Sequence, residues 1–223
     1  MISDPTPLDA LEYVRSHTSI EPVPFIPELR LHQADDAFRL WQTTERDLAR
    51  DGIALPYWAF AWAGGTALAR YVLDHPEVVR GRRVLDLATG SGLVAIAAAR
   101  AGAVEVIAND IDPIALAATE LNATLNDVTI TTLHTDLLAG SAPQLESFEV
   151  VLAGDIAYER PFAKQAFEFL RTHAARDTTV LIGDPGRAYL PPDLQPLETY
   201  TIPTPATLES SESTRTTVFR LRT

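Results

Sequence analysis

Val84-Leu85-Asp86-Leu87-Ala88-Thr89-Gly90-Ser91-Gly92 is followed closely by Val106-Ile107-Ala108-Asn109-Asp110. Arg83 to Leu87 reads as a strand that enters a glycine turn, and Leu93 to Arg100 as a helix closed by Gly102. Val104 to Asn109 is a second apolar run and ends at an acid, Asp110. Strand, glycine turn, helix and strand in that order form one βαβ unit, the repeating element of α/β sheets.

The alternation continues downstream. Asp112 has N-cap chemistry with Pro113 at the first helical position, and Ile114, Ala118, Leu121 and Leu125 recur at helical spacing. Val128 to His134 and Phe148 to Ala153 read as third and fourth strands. Pro161 opens a helix with Phe162, Ala166, Phe169 and Leu170 on one face, and Thr179 to Ile182 is a fifth strand. Tyr200 to Ile202 and Thr216 to Leu221, rich in Thr, Val and Phe, follow without a helix between them. The pattern predicts an α/β sheet that closes in a hairpin-like element.

Upstream, Ala67, Leu68, Tyr71 and Val72 share a helical face that Pro76 terminates. Before it, Leu8 to His17 has helical spacing, whereas Glu21 to Pro27 holds three prolines and excludes a helix. Leu29 to Gln33 reads as a strand, and Ala34 to Arg50 has mixed charges without a clean period. The expected organisation is an N-terminal appendage over residues 1–60, either a lid or docking segment or a structural cap, on a domain over residues 61–223.

Composition removes several classes. A chain of 223 residues fits one domain with a sizeable core. No run approaches the ~20 apolar residues of a membrane span, so no membrane association is expected. Net charge of −12 argues against nucleic acid, which needs a basic face. The same charge either favours a cationic partner such as a lysine-bearing protein or simply keeps the chain soluble. With no cysteine there are no disulfides, thiolate metal sites or cysteine nucleophile. Asp4, Asp9 and Glu12 fit neither a secretory signal nor an acid-poor transit peptide, and a cytoplasmic location is expected. The five histidines are scattered, so no metal site is expected.

Gly90-Ser91-Gly92-Leu93-Val94-Ala95 fits the G-x-G-x-x-G/A pattern, and Asp110 lies 18 residues past Gly92. By spacing alone a nicotinamide dinucleotide is admissible. Asp86 counts against it, because a carboxylate just before the turn would face a pyrophosphate at short range. A sulfonium or ammonium ligand turns that charge into an attraction, and Asp110 can accept both hydroxyls of a ribose. The expectation is a crevice lined by Asp86, Asp110, Asp136 and Asp155 that seats S-adenosylmethionine. Asp136 is equally readable as a turn residue.

In Asp86 to Gly92 and Asn109-Asp110-Ile111-Asp112-Pro113, the chain resembles the seven-β-strand class I methyltransferases. The fourth-strand ending Asp155-Ile156-Ala157-Tyr158 is similar to the D-x-x-Y motif of a group of protein-lysine methyltransferases within that class. Pro56-Tyr57-Trp58-Ala59-Phe60-Ala61-Trp62-Ala63-Gly64-Gly65 and Leu181-Ile182-Gly183-Asp184-Pro185-Gly186-Arg187 resemble the family that modifies the β subunit of electron transfer flavoprotein. The resemblance spans residues 56–187.

It implies a Rossmann-like seven-stranded sheet, S-adenosylmethionine as cofactor with S-adenosylhomocysteine as product, and a protein lysine as acceptor. Asp155 then orients the amine, Tyr158 offers its ring face and hydroxyl or simply walls the slot, and Trp62 lies against the cofactor. Trp58 reads as core or rim. Asp184 and Arg187 either shape the acceptor mouth or only form a turn. No mitochondrial address of the kind expected in animal members is seen, so a bacterial version is expected. The alternatives are another acceptor, such as a ribosomal protein or a small amine, and a non-catalytic cofactor-binding interaction protein.

Overall fold

The computed structural model describes residues 7–34, 55–139, 148–203 and 212–222. Helix α1 (Pro7–His17) leads into an antiparallel hairpin of β1 (Ser19–Val23) and β2 (Ile26–Gln33). The prolines that forbid a helix here frame the hairpin turn, where Phe25 takes a φ of +72°. From residue 35 onward, the stretch read without a clean period lies outside the described residues. After a single 3-10 turn over Tyr57–Ala59 comes α2 (Ala63–Asp74).

The alternating region then runs β3 (Arg83–Leu87), α3 (Leu93–Arg100), β4 (Glu105–Asp110), α4 (Pro113–Leu125) and β5 (Thr131–His134). It continues through β6 (Val150–Gly154), α5 (Arg160–Ala174), β7 (Thr179–Asp184), β8 (Gln195–Pro203) and β9 (Ser213–Arg220). These strands form one seven-stranded sheet in the order β5-β4-β3-β6-β7-β9-β8. Strands β3 to β7 pair in parallel, and β9 pairs antiparallel with both β7 and β8. This is the α/β sheet with a terminal hairpin that the sequence pattern predicts.

Some boundaries differ: β8 begins at Gln195 and not at Tyr200, and β9 at Ser213 and not at Thr216. The third parallel strand begins at Thr131 and not at Val128, because the Val128 N–H still bonds back to the Ala123 carbonyl at 3.1 Å. Residues 126–128 therefore belong to the close of α4, with Asp127 at φ +55°.

Both faces of the sheet are covered, so the central strands are apolar on alternate residues in both directions. Val84, Val150, Leu152 and Leu181 bury against α2 and α3. Leu85, Val151, Val180 and Ile182 bury with Ala163, Ala166, Phe167 and Leu170 of α5 on the other side. The hairpin contributes Val23, Ile26, Leu29 and Leu31 to the first of these cores. Ala10 and Val14 of α1 pack with Trp58 and the outer side of α4.

Helix α4 is thus covered on two sides. This is why Ala115 and Ala123 bury as well as Ala118, while Ile114, Leu121 and Leu125 are half-buried. Among the described residues, no helix is long and apolar enough to cross a membrane.

The free edge of β2 meets side chains where a further strand would otherwise lie. Asn126 accepts from the Arg30 N–H (3.1 Å) and donates to the Arg30 carbonyl (2.6 Å), while Asn122 accepts from the His32 N–H (2.7 Å). Two amides one helical turn apart thereby complete the hydrogen bonding of a strand.

Candidate active site

At the carboxyl ends of the strands, in sheet order, stand Asp136, Asp110, the glycine turn, Asp155 and Asp184. The chain winds one way through β3, β4 and β5 and the other way through β6 and β7. Strands β3 and β6 are neighbours where the winding reverses, which is where open α/β sheets take their ligands. The glycine turn and Asp155 flank that point.

The turn after β3 passes through Ala88 (φ +54°), Gly90 (φ +54°) and Gly92 (φ +79°). A methyl group built on Gly92 would strike Thr119 of α4 at 2.8 Å, so this glycine is required for close packing. The same group on Gly90 would meet only Trp58 Cα, at 3.9 Å. Packing therefore does not demand glycine at Gly90, and its positive φ is what favours one. Thr119 donates to the Gly90 carbonyl (3.3 Å) and Asn122 to the Ser91 carbonyl (2.8 Å), so α4 braces the turn from below.

Asp86 does not line the crevice as the sequence reading placed it. It is 1% exposed, and its Oδ2 accepts from Thr89 Oγ1 at 2.6 Å and from the Ala95 N–H at 3.0 Å. A strand covered on both faces gives this side chain no route to solvent, so the carboxylate ties the start of the turn to the first turn of α3. Burial pushes it up to about 7, against the pull of the Thr89 and Ala95 bonds and with some help from the Asp110 charge.

Because its folded value lies above the ordinary ~3.9, protonation of Asp86 favours the folded state. That contribution is complete below about pH 4 and is lost as pH rises through about 7. Asp86→Asn keeps an oxygen for Thr89 and Ala95 but removes the charge. Urea denaturation is expected to show the variant gaining on wild type by at least about 1.4 kcal/mol between about pH 5 and pH 8, the worth of one pKa unit. A difference that stays flat across that range rejects a buried titrating Asp86.

Asp110 accepts from the Gly90 N–H (2.9 Å) through one oxygen and from the Asp112 N–H (3.0 Å) through the other. Asp112 caps α4 by accepting from the Ile114 N–H at 2.8 Å. Asn109 donates to the carbonyls of Leu133 (2.9 Å) and Thr135 (2.8 Å), fastening β4 to the end of β5. Asp136 is exposed and accepts from the Leu138 N–H at 2.9 Å, a turn bond that leaves its other oxygen at the crevice end of β5.

Asp155 follows β6 in the left-handed region, with φ +55°. Its Oδ2 accepts from the Gly65 N–H at 2.7 Å, and its Oδ1 lies 3.2 Å from the Arg187 guanidinium. Glycines permit this approach. A methyl group on Gly183 or Gly64 would drive into the backbone carbonyl of the other, and one on Gly154 would meet Gly65 Cα at 2.7 Å. The N-terminus of α2 therefore rests directly on the ends of β6 and β7, with its positive end toward the carboxylate. Burial pushes Asp155 up to about 6, opposed by Arg187 and the Gly65 N–H.

Tyr158 is 40% exposed and Tyr57 37% exposed, and their ring centroids are 5.3 Å apart. Phe162 lies 5.5 Å beyond Tyr158, and Trp62 6.1 Å beyond Tyr57, with the Trp62 indole N–H donating to the Tyr57 carbonyl at 2.7 Å. Burial, followed by Tyr57, Glu159 and Asp110, pushes the Tyr158 phenol up to about 12, so it keeps its proton. Trp58 is core.

The structure thus sets Gly90, Asp110 and Asp155 at the carboxyl ends of neighbouring strands, links Trp62 and Tyr158 through the Tyr57 ring, sets Asp136 two strands from β3, and places Asp86 beneath the turn. Sequence reasoning missed Thr119 and Asn122. Their signal was a set of polar residues at helical spacing inside an otherwise apolar, alanine-rich helix.

A family model described as ribosomal protein L11 methyltransferase (PrmA) matches residues 64–174. The electron transfer flavoprotein beta subunit lysine methyltransferase of Xenopus laevis is 38% identical over 196 residues, covering 85% of this chain and 78% of that protein. The chain belongs to the electron transfer flavoprotein β subunit lysine methyltransferase family. The Danio rerio member is 48% identical over 134 residues, which cover 60% of this chain and 51% of the relative, so here the match spans about half of the relative's length. Among solved structures, the N-methyltransferase NodS from Bradyrhizobium japonicum in complex with S-adenosylhomocysteine superposes with a TM-score of 0.52. It is 15% identical and covers 81% of this chain and 97% of that one, a likeness of fold.

Proposed function

We propose that this protein transfers methyl groups from S-adenosylmethionine to lysine side chains of the electron transfer flavoprotein β subunit. One observation carries the reading: the D-x-x-Y turn holds a carboxylate and an aromatic ring beside the glycine turn, at the point where the winding of the sheet reverses. The names of the relatives supply the acceptor.

The residues present suit the cofactor. Gly90, with no side chain, leaves its backbone bare to an adenosyl group, and Asp110 offers acceptor oxygens to ribose hydroxyls. Asp136 faces the adenine end, and Trp62 walls the slot. Acceptor-only carboxylates fit hydroxyls and an ammonium and oppose a pyrophosphate. When bound, S-adenosylmethionine supplies an electrophilic methyl group on a sulfonium.

This chain's own part is alignment. Lysine has an ordinary pKa near ~10.4 and must present a neutral nitrogen. Asp155 accepts a hydrogen bond from the amine and so aims its lone pair, while Tyr57 and Tyr158 present ring faces to the cationic product. The Tyr158 hydroxyl, protonated throughout the working range, is a fixed partner at the slot.

The test supplies tritiated donor with electron transfer flavoprotein or with ribosomal protein L11, alongside calorimetry with S-adenosylhomocysteine and NAD. Label on lysines of the flavoprotein β subunit is expected. Label on ribosomal protein L11 alone moves the acceptor. Heat with S-adenosylhomocysteine but no label on any protein reduces the chain to a binding module, and heat only with NAD ends the methyltransferase reading.

A further inference from the structure

The carboxylate of the D-x-x-Y turn is accompanied by a cation, Arg187. Arg187 ends the turn Asp184-Pro185-Gly186-Arg187 that leaves β7. Asp184 is fully buried, and its Oδ1 accepts from the backbone N–H groups of both Gly186 and Arg187, each at 2.7 Å. Among the described residues its Oδ2 has no hydrogen-bond partner, which is a cost accepted to hold this turn. The turn fixes the Arg187 backbone so that the guanidinium reaches back across to β6, 3.2 Å from Asp155 Oδ1. A turn serving only to leave β7 needs no cation directed at the neighbouring strand.

Asp155 is consequently gripped from two sides. The Gly65 N–H at the start of α2 holds Oδ2, and Arg187 holds Oδ1. Its side chain stays 12% exposed, so the carboxylate is not sealed from solvent. Arg187 also acts electrostatically on Tyr57, which sets it within the same mouth as the aromatic rings.

We propose that Arg187 is a positioning residue for the transfer step, clamping Asp155 from the β7 side so that its carboxylate meets the incoming amine as an acceptor. The inference rests on the methyl-transfer reading above. A protonated Asp155 would offer a donor to an amine that needs an acceptor. The groups facing Asp155 are Arg187 and Asp184 from the β7 turn and the N–H groups of Gly64 and Gly65 from α2. After burial, which raises Asp155, the Arg187 charge is the largest influence and it lowers it, while Asp184 raises it. Removing Arg187 therefore moves the titration of Asp155 upward from about 6, and the acid limb of the transfer rate follows it.

Arg187→Met keeps the apolar stem without the charge, and Arg187→Lys restores a charge without the planar fork. In a pH series of kcat/KM for the flavoprotein acceptor, the methionine variant is expected to fall about tenfold behind wild type on the acid side and to converge with it at high pH, as a one-unit shift dictates. The lysine variant is expected to lie between them. A loss equal at every pH, with the limb unmoved, makes Arg187 a turn staple and overturns the proposal.

A second readout needs no acceptor: titration of the Asp155 carboxyl carbon by NMR in protein saturated with S-adenosylhomocysteine. An upward shift in Arg187→Met supports the clamp even if wild type methylates neither acceptor, in which case only the assigned function fails. An unmoved Asp155 titration overturns the clamp whatever the acceptor. If Arg187→Met does not fold, Arg187→Gln serves for both measurements.

Discussion

Asp155→Asn is expected to slow methyl transfer by about 100-fold or more, the scale of losing alignment at a reacting centre, while leaving affinity for S-adenosylhomocysteine essentially unchanged. Asparagine is the informative replacement because it tolerates the left-handed backbone that Asp155 occupies at φ +55°. The carboxamide has one acceptor oxygen where the carboxylate has two. It cannot satisfy the Gly65 N–H and Arg187 together and still receive an amine. The cofactor contacts proposed for Gly90 and Asp110 lie after β3 and at the end of β4, away from Asp155, so binding and turnover should separate. Single-turnover labelling with calorimetry on the same preparation reads both. Wild-type turnover in a folded Asp155→Asn protein would remove Asp155 from the mechanism.

The second large effect is structural and lies one strand away. Gly183→Ala is expected to destabilise the fold by about 3 kcal/mol or more, at the upper end for an overfilled core. The added methyl group runs into the Gly64 carbonyl oxygen and lies 2.9 Å from both the Gly64 carbonyl carbon and Leu68 Cβ. Two of these three atoms are backbone. Strand β7 is locked to β6 and β9, so the clash is relieved only by lifting α2 off the sheet.

The neighbouring glycine supplies the control. A methyl group on Gly65 meets nothing closer than 3.8 Å, and alanine suits a helix better than glycine by about 1 kcal/mol. Gly65→Ala is therefore expected to be neutral or stabilising in guanidinium denaturation. Equal behaviour of the two variants would refute the close approach of α2 to β7.

The order of strands and helices was legible because hydrophobic period and cap chemistry act locally. Asp112-Pro113 marked the start of α4, and Gly102 the close of α3. The glycine turn was legible for the same reason, since Gly90 and Gly92 are spaced by what the backbone itself must do. Depth was not legible. Asp86 was read as facing a ligand because its distance along the chain from Gly90 is right, yet both faces of β3 are covered and the carboxylate turns inward.

Contacts between distant elements were equally hidden. Gly154 and Gly183 look like weak points in apolar strands until α2 is seen crossing them. Thr119, Asn122 and Asn126 look like the wet side of an amphipathic helix, because sequence does not say that the glycine turn lies against Thr119 and a hairpin some ninety residues earlier against Asn122 and Asn126. Asp155 was found through its motif. Its partners Gly65 and Arg187 belong to other segments, and only the sheet order brings them together.

The seam between β2 and α4 ties together two segments far apart in the chain. The amides that complete the hairpin edge come from residues 90 and 96 positions downstream of the groups they bind. An isolated two-stranded hairpin is marginal in water, so the hairpin over residues 19–33 draws part of its hydrogen bonding from the last turn of α4. Damage at the end of α4 therefore reaches the far edge of a hairpin with which it shares no strand pairing.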